Sequence, residues 1–315
     1  MPKIPATTRG AEIIGWGTAL PERIVTNDEL SLTLDTSDEW IRERTGIARR
    51  HIGGSTASLS VESATKAIAM SGLELKDIDA LILATTTPDR AVPATASTVQ
   101  HLLGLNCGAY DINAACSGFV YGLVTGHGLI AMGAKNVLVI GTDTLSRLTD
   151  QTDRNTAPLF ADGSGAAVLQ AVEGAGQMLA WDLDSDGSAE ELLYAEIGKY
   201  LHMNGKEVFR RAVRVMVDSA QKSMAIAGVT AGEISLVVPH QANIRIISAA
   251  CERLGVPMER TAVVLHDTGN TSSASIPLAL FDAADNGRIK NGDLLLLVGF
   301  GAGMTAASAI IRWSN

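Results

Sequence analysis

Aromatic side chains supply only 4% of this 315-residue chain, and cysteine is down to three residues, Cys107, Cys116 and Cys251. An odd number without metal-ligand spacing offers neither a disulfide framework nor a zinc site. Long apolar runs are missing as well. None approaches the roughly 20 residues needed to cross a bilayer, and the opening MPKIPATTRGAEI has no apolar stretch of the secretory kind. Positive charge is in deficit, with a formal net charge of −9, which argues against nucleic acid as the main partner. The expected setting is the reducing cytoplasm.

Small and aliphatic residues are plentiful. Hydrophobic residues reach 46% and glycines number 31, a composition suited to close helix–sheet packing in one large domain or two joined halves. The halves echo each other. Residues 69–86, AMSGLELKDIDALILATT, lie over residues 225–242, AIAGVTAGEISLVVPHQA, at an offset of 156, and NVLVIGTD (136–143) resembles GDLLLLVGFG (292–301) at an offset of about 158. Each copy reads as a helix closed by glycine (Gly72, Gly228), a short acidic connection and a buried strand. The runs are continuous rather than alternating, as in α/β sheets covered by helices on both faces. The boundary between halves is placed at 1–170 and 171–315.

Three residues stand at the ends of apolar runs read as strands: Cys116 in DINAACSGF, His240 in VVPHQANIR and Asn270 in HDTGNTSSASIP. A thiol, an imidazole and a carboxamide can hold a thioester and stabilise an enolate. Cys116 and Asn270 fall in corresponding turns of the two halves, and ligand sites in α/β sheets lie beyond the carboxyl ends of strands. A free cysteine alone is more often a small buried hydrophobe, a lone histidine is more often structural, and Asn270 could simply cap the next helix; the three together reverse that balance. Because SGFVYGLVTGHGLIAMG reads as a helix starting at Cys116, its amides and dipole are expected to lower the thiol pKa, so a general-base role for His240 is the less favoured one. His51, His101, His127, His202 and His266 lack comparable partners. The turn GFGAGMT between two apolar strands lacks the Lys-Ser/Thr of a phosphate loop; an amide there, paired with that of Cys116, would make an oxyanion hole.

With these motifs in place the chain closely resembles the β-ketoacyl-acyl carrier protein synthase III family. The similarity runs from about Gly10 to Trp313 through TSDEWIRERTGI, DINAACSGF, DRNTAPLFADGSGAAVL, VPHQANIRI, GNTSSASIPLAL and GFGAGMT. The resemblance implies a thiolase fold, with βαβαβαββ halves in a five-layered αβαβα sandwich, and a homodimer. It implies decarboxylating condensation of a short acyl-CoA with malonyl-acyl carrier protein through an acyl-Cys116 intermediate, with no cofactor or metal. Carried over by motif, His240 and Asn270 face the malonyl thioester oxygen, the Cys116 and Ala302 amides form the oxyanion hole, and Phe300 shapes the pocket. Trp40, Arg44 and Arg154 match positions that hold coenzyme A, Thr36 and Asn243 match positions lining the pantetheine tunnel, and Arg210 and Arg245 match positions facing the carrier protein. Arg214, four residues after Arg210, shares its helical face.

The Cys-His-Asn set differs from the Cys-His-His of elongating synthases, and the C-terminal turn lacks the second cysteine of biosynthetic thiolases. The chain departs from the family in the short segment before MNGKEVF and in Val92, where many members place an aromatic that closes the partner's acyl pocket. Two other readings are a homologue that makes a polyketide starter or transfers acyl groups to another acceptor, and a non-catalytic chain-length subunit. The intact Cys116 argues against the last.

Overall fold

A computed structural model describes residues 9–314; the segment MPKIPATT, part of the stretch read above for a leader, lies outside them. Two sheets organise the chain. The first runs Gly10–Ala19, Asp162–Val172, Asn136–Thr144, Ala80–Ala84 and Gly108–Ile112 in spatial order, and the second Leu236–Pro239, Leu294–Gly301, Thr305–Arg312 and Met178–Ser185. Their registers repeat. Ala80 lies opposite Val137 in a parallel pair of the first sheet, and Leu236 lies opposite Leu295 in the matching pair of the second.

Strand alternation explains the layers. On Asn136–Thr144, Val137 and Val139 face the centre while Leu138 and Ile140 face outward, and all four are fully buried. On Leu294–Gly301, Leu295 and Leu297 face the centre, and Leu294, Leu296 and Val298 face outward. Both sheets are thus covered on both faces, which is why the runs are continuously apolar. Helices Thr56–Ser71 and Thr95–Leu103 cover the outside of the first sheet, and Gly205–Ala227 and Ile244–Leu254 the outside of the second. Helices Gly118–Ala131 and Ser275–Asp285 fill the space between the sheets, completing the five layers.

Glycine lets the central helix come close to its sheet. A Cβ on Gly122 would lie 2.8 Å from Val139 Cγ1, and one on Gly126 2.8 Å from Leu169 Cδ1. The scarce aromatics concentrate in the same layer. Phe119 and Phe281, one from each central helix, meet edge to face with centroids 6.4 Å apart, and Trp16 stacks on Phe281 at 5.7 Å. Outer helices end where the sequence says: Gly72 and Gly228 both take the left-handed conformation that closes a helix.

One expected strand is absent. The run before Asn270 forms a single bridge, Val237 to Thr261, followed by a one-turn helix Leu265–Thr268. The buried Gln241 side chain takes over part of the pairing. Its Nε2 donates to the Ala262 and Pro239 carbonyls, and its Oε1 accepts from the Val264 and Leu265 amides.

Candidate active site

Cys116 sits in a 3-10 turn, Ala115–Ser117, that leads into the central helix Gly118–Ala131. The turn is held by Asn113, whose Oδ1 accepts the Ala115 amide at 3.2 Å, and by a left-handed Ala115 (φ 47°). The second half builds the same turn. Asn270 Oδ1 accepts the Ser272 amide at 3.0 Å, and Ser272 has φ 51°. The turns therefore align as expected, but residue by residue Asn270 corresponds to Asn113 and Cys116 corresponds to Ser273.

The two turns abut at the centre of the molecule and draw the three residues together. A Ser272 side-chain hydrogen bond reaches the Cys116 thiol. Gly299 separates Cys116 from His240: a Cβ built there would lie 3.5 Å from His240 Cβ and 3.7 Å from the Cys116 carbonyl oxygen. His240 follows the strand Leu236–Pro239, and its Nδ1 lies 2.6 Å from Ser275 Oγ, which also accepts the Gln241 amide at 3.3 Å. Phe300 packs edge-on against the imidazole, with centroids 5.3 Å apart. Gly301 must be glycine here, since a Cβ would come within 2.6 Å of the Cys116 nitrogen. This close approach brings the Gly301–Ala302 backbone alongside the Cys116 amide.

Burial decides the resting charges. Cys116 keeps some solvent access as a residue although protein surrounds its thiol. Desolvation pushes the thiol up to about 12, with the Ser272 hydrogen bond opposing it and the charge of Asp143 adding to it. The expectation of a lowered thiol pKa is therefore corrected: loss of solvation is the largest influence on Cys116, and it raises the pKa. Desolvation likewise drives His240 down to about 3. At neutral pH the site holds a neutral thiol beside a neutral imidazole.

Away from this centre, Trp40 lies on the short helix Asp38–Thr45 with two guanidinium groups over its ring, Arg44 Cζ 4.6 Å and Arg154 Cζ 4.4 Å from the ring centroid. Asn243 caps the helix Ile244–Leu254 and donates to the Arg44 carbonyl at 3.0 Å, joining the two groups of sequence candidates. Thr36 Oγ1 is buried and has no hydrogen-bond partner among the described residues. Arg210, Arg211 and Arg214 line one surface cavity of about 180 Å³, and Arg245 is exposed on a neighbouring helix. Val92 stands exposed on the loop after Ala80–Ala84.

Sequence reasoning missed Ser272, Ser275 and Gln241. Serines within TSSAS carry no individual signal, and only the register of the two turns marks them.

Comparison with known proteins agrees with this architecture. Residues 110–187 match the family described as 3-oxoacyl-[acyl-carrier-protein (ACP)] synthase III, and residues 224–313 match its C-terminal counterpart. A β-ketoacyl-[acyl-carrier-protein] synthase III 1 of Bacillus anthracis is 47% identical over 308 residues, covering 96% of this chain and 99% of that one. The crystal structure of 3-oxoacyl-[acyl-carrier-protein] synthase III from Aquifex aeolicus superposes with a TM-score of 0.93 at 42% identity, covering 96% of this chain and all of that one. A priming β-ketosynthase from the R1128 polyketide biosynthetic pathway also reaches a TM-score of 0.93, at 33% identity, covering 99% and 98% of the two chains. The chain belongs to the 3-oxoacyl-[acyl-carrier-protein] synthase III family.

Proposed function

We propose that the protein condenses a short acyl-CoA with malonyl-acyl carrier protein, releasing carbon dioxide and coenzyme A and starting fatty acid synthesis. The observation that carries this reading is the meeting of Cys116, His240 and the Asn270–Ser275 turn around Gly299. Cys116 sulfur attacks the acyl carbonyl, and the carbon–sulfur bond to coenzyme A breaks. The thiol proton ends on the departing coenzyme A sulfur. The amides of Cys116 and Ala302 hold the oxyanion. Malonyl thioester then loses carbon dioxide, leaving an electron pair on the α-carbon as an enolate, which attacks the acyl-Cys116 carbonyl and releases the thiolate. His240 and Asn270 donate hydrogen bonds to the enolate oxygen. For His240 this needs the proton on Nε2, a tautomer favoured when Gln241 donates to Ser275 and Ser275 donates to Nδ1. Phe300 packs the other side of the ring and shapes the pocket.

Trp40, Arg44 and Arg154 form the nucleotide end of the coenzyme A site, with Thr36 and Asn243 along the pantetheine path. The unpartnered Thr36 hydroxyl and the paired guanidinium groups over Trp40 support this. Arg210, Arg214 and Arg245 form the docking face for the acidic carrier protein. The reaction calls for no cofactor or metal. A homodimer, supported by the edge strand Gly108–Ile112, which among the described residues pairs on one side only, and a cytoplasmic setting complete the reading. No helix among the described residues is long and apolar enough to cross a membrane. The halves are taken as 1–170 and 171–315.

The test is product analysis by mass with a panel of acyl-CoA primers and malonyl-carrier protein. β-Ketoacyl-carrier protein from a short primer supports this function. Product only with other acceptors, or with primers that feed a polyketide, would support the second reading, to which the priming ketosynthase is similar.

A further inference from the structure

Asp143 is the penultimate residue of the strand Asn136–Thr144, is fully buried and has no ion pair among the described residues. Burying an uncompensated carboxylate is costly unless hydrogen bonds replace its water. Here they do. Oδ1 lies within reach of the Thr85 hydroxyl at 3.1 Å, the Thr86 amide and hydroxyl at 2.7 and 2.9 Å, and the Thr87 amide and hydroxyl at 3.1 and 3.0 Å. Oδ2 takes the Ser273 amide at 3.0 Å and faces its hydroxyl at 2.7 Å.

Asp143 thus joins the first sheet to the one turn of the second half that carries three site residues. Asn270 and Ser272 precede Ser273, and Ser275 follows it. Ser272 adopts φ 51°, a strained conformation for a residue with a Cβ, which persists only where its surroundings fix it. Ser273 is the neighbour through which that fixing is applied.

We infer that Asp143 is a positioning residue for the decarboxylation step, acting through Ser273 to hold Asn270, Ser272 and Ser275 against the reacting thioester. The inference rests on the proposed roles of Asn270 and His240. Displacing such a turn by about 1 Å costs on the order of 10²-fold in rate.

The experiment compares Asp143→Asn, Ser273→Ala and Asn270→Ala in the full-length protein, measuring Cys116 acylation by acyl-CoA and decarboxylation of malonyl thioester separately. Ser273→Ala removes one hydroxyl and guards against misfolding of the charge variant. Both Asp143→Asn and Ser273→Ala are expected to lower decarboxylation by about 10²-fold, with acylation within a few-fold of wild type and unchanged KM for acyl-CoA. The pH profile of Cys116 alkylation separates positioning from loosening. Among the described residues, Asp143 is the charged group that acts on the Cys116 thiol, and His240 lies across Gly299 from it. Asp143→Asn removes a charge that, after burial, helps hold the thiol up, so its profile moves to lower pH, whereas Ser273→Ala keeps the charge and the profile. A matching shift in Ser273→Ala, the sign of a site opened to solvent, overturns the inference, as do equal losses in both half-reactions. Normal decarboxylation by Asp143→Asn beside a crippled Asn270→Ala rejects the inference alone. Normal decarboxylation by Asn270→Ala rejects the underlying reading and this inference with it.

Discussion

The turn at Cys116 and the turn at Ser273 are two copies of one device, and only one is left open. Both have an asparagine that caps the turn, a left-handed residue two positions on, and a central helix that follows. Each is met by a glycine of the opposite half: a Cβ on Gly141 would lie 2.5 Å from the Ser273 carbonyl oxygen, and one on Gly299 3.7 Å from that of Cys116. Two positions beyond these glycines the copies part. Gly301 presents bare backbone to Cys116, whereas its counterpart Asp143 fills the space and binds Ser273 on both its amide and hydroxyl. Where the first half has the Ala84 carbonyl, the second has His240, the next residue after its strand. A symmetric frame thus carries two unlike turns: a carboxylate and full burial hold Ser273, whereas Cys116 meets bare backbone and keeps partial exposure.

The largest expected effect comes from making the open turn chemically like the closed one. Cys116→Ser puts a hydroxyl in the place of the thiol, a much poorer nucleophile at neutral pH. Condensation, followed by carbon dioxide release with acyl-CoA and malonyl-carrier protein, should fall below detection; retained turnover would remove Cys116 from the mechanism.

Next in size is the contrast between the paired asparagines. Asn270→Ala and His240→Ala should each slow malonyl decarboxylation by about 10²–10³-fold, the usual cost of losing an oxyanion donor. Asn113→Ala should affect that step far less, because Asn113 is exposed and, among the described residues, holds only the Ala115 amide. Equal losses at Asn113 and Asn270 would reduce both to turn caps.

Smaller is the effect of acid on stability. His240 has its pKa depressed by burial from 6.5 to about 3. Between these values the unfolded chain takes up a proton that the folded site refuses, so the contribution is full above pH 6.5 and is lost as pH falls toward 3. The urea midpoint should drop between about pH 7 and about pH 5, and drop less in His240→Gln. An identical drop in both proteins would assign the acid sensitivity elsewhere.

The smallest effect lies at the surface. Arg245→Glu should slow the carrier-protein step a few-fold, with the deficit shrinking as salt rises, and leave acyl transfer from acyl-CoA largely intact. Equal slowing of both half-reactions would reject Arg245 as a docking residue.

Much of this was legible in the sequence, for reasons that differ residue by residue. Gly72 and Gly228 announced the repeat because a helix end needs a left-handed residue, and that requirement is local. Helix cover on both faces of the sheets followed from apolar runs such as LVVP and VLVI, whereas the count of five layers came only with the family resemblance. The Asp143–Ser273 lock was not legible, since it joins residues 130 positions apart, and Asp143 at the end of NVLVIGTD and Ser273 within GNTSSASIP carry no individual signal. Gln241 standing in for a strand was hidden likewise, because a side chain replaced backbone pairing that apolar residues alone predicted. The Cys116 pKa went the other way from expectation because helix-terminus effects are local while desolvation is set by the whole fold.

The central claim is that, of two equivalent turns, only Cys116 carries the acyl group. Peptide mapping by mass after mixing the wild-type protein with a short acyl-CoA tests it most directly. One acyl group per chain is expected, on the peptide containing Cys116, with none on Ser273. Acyl mass on Ser273, Cys107 or Cys251, or a fully acylated Cys116→Ser protein, would contradict it.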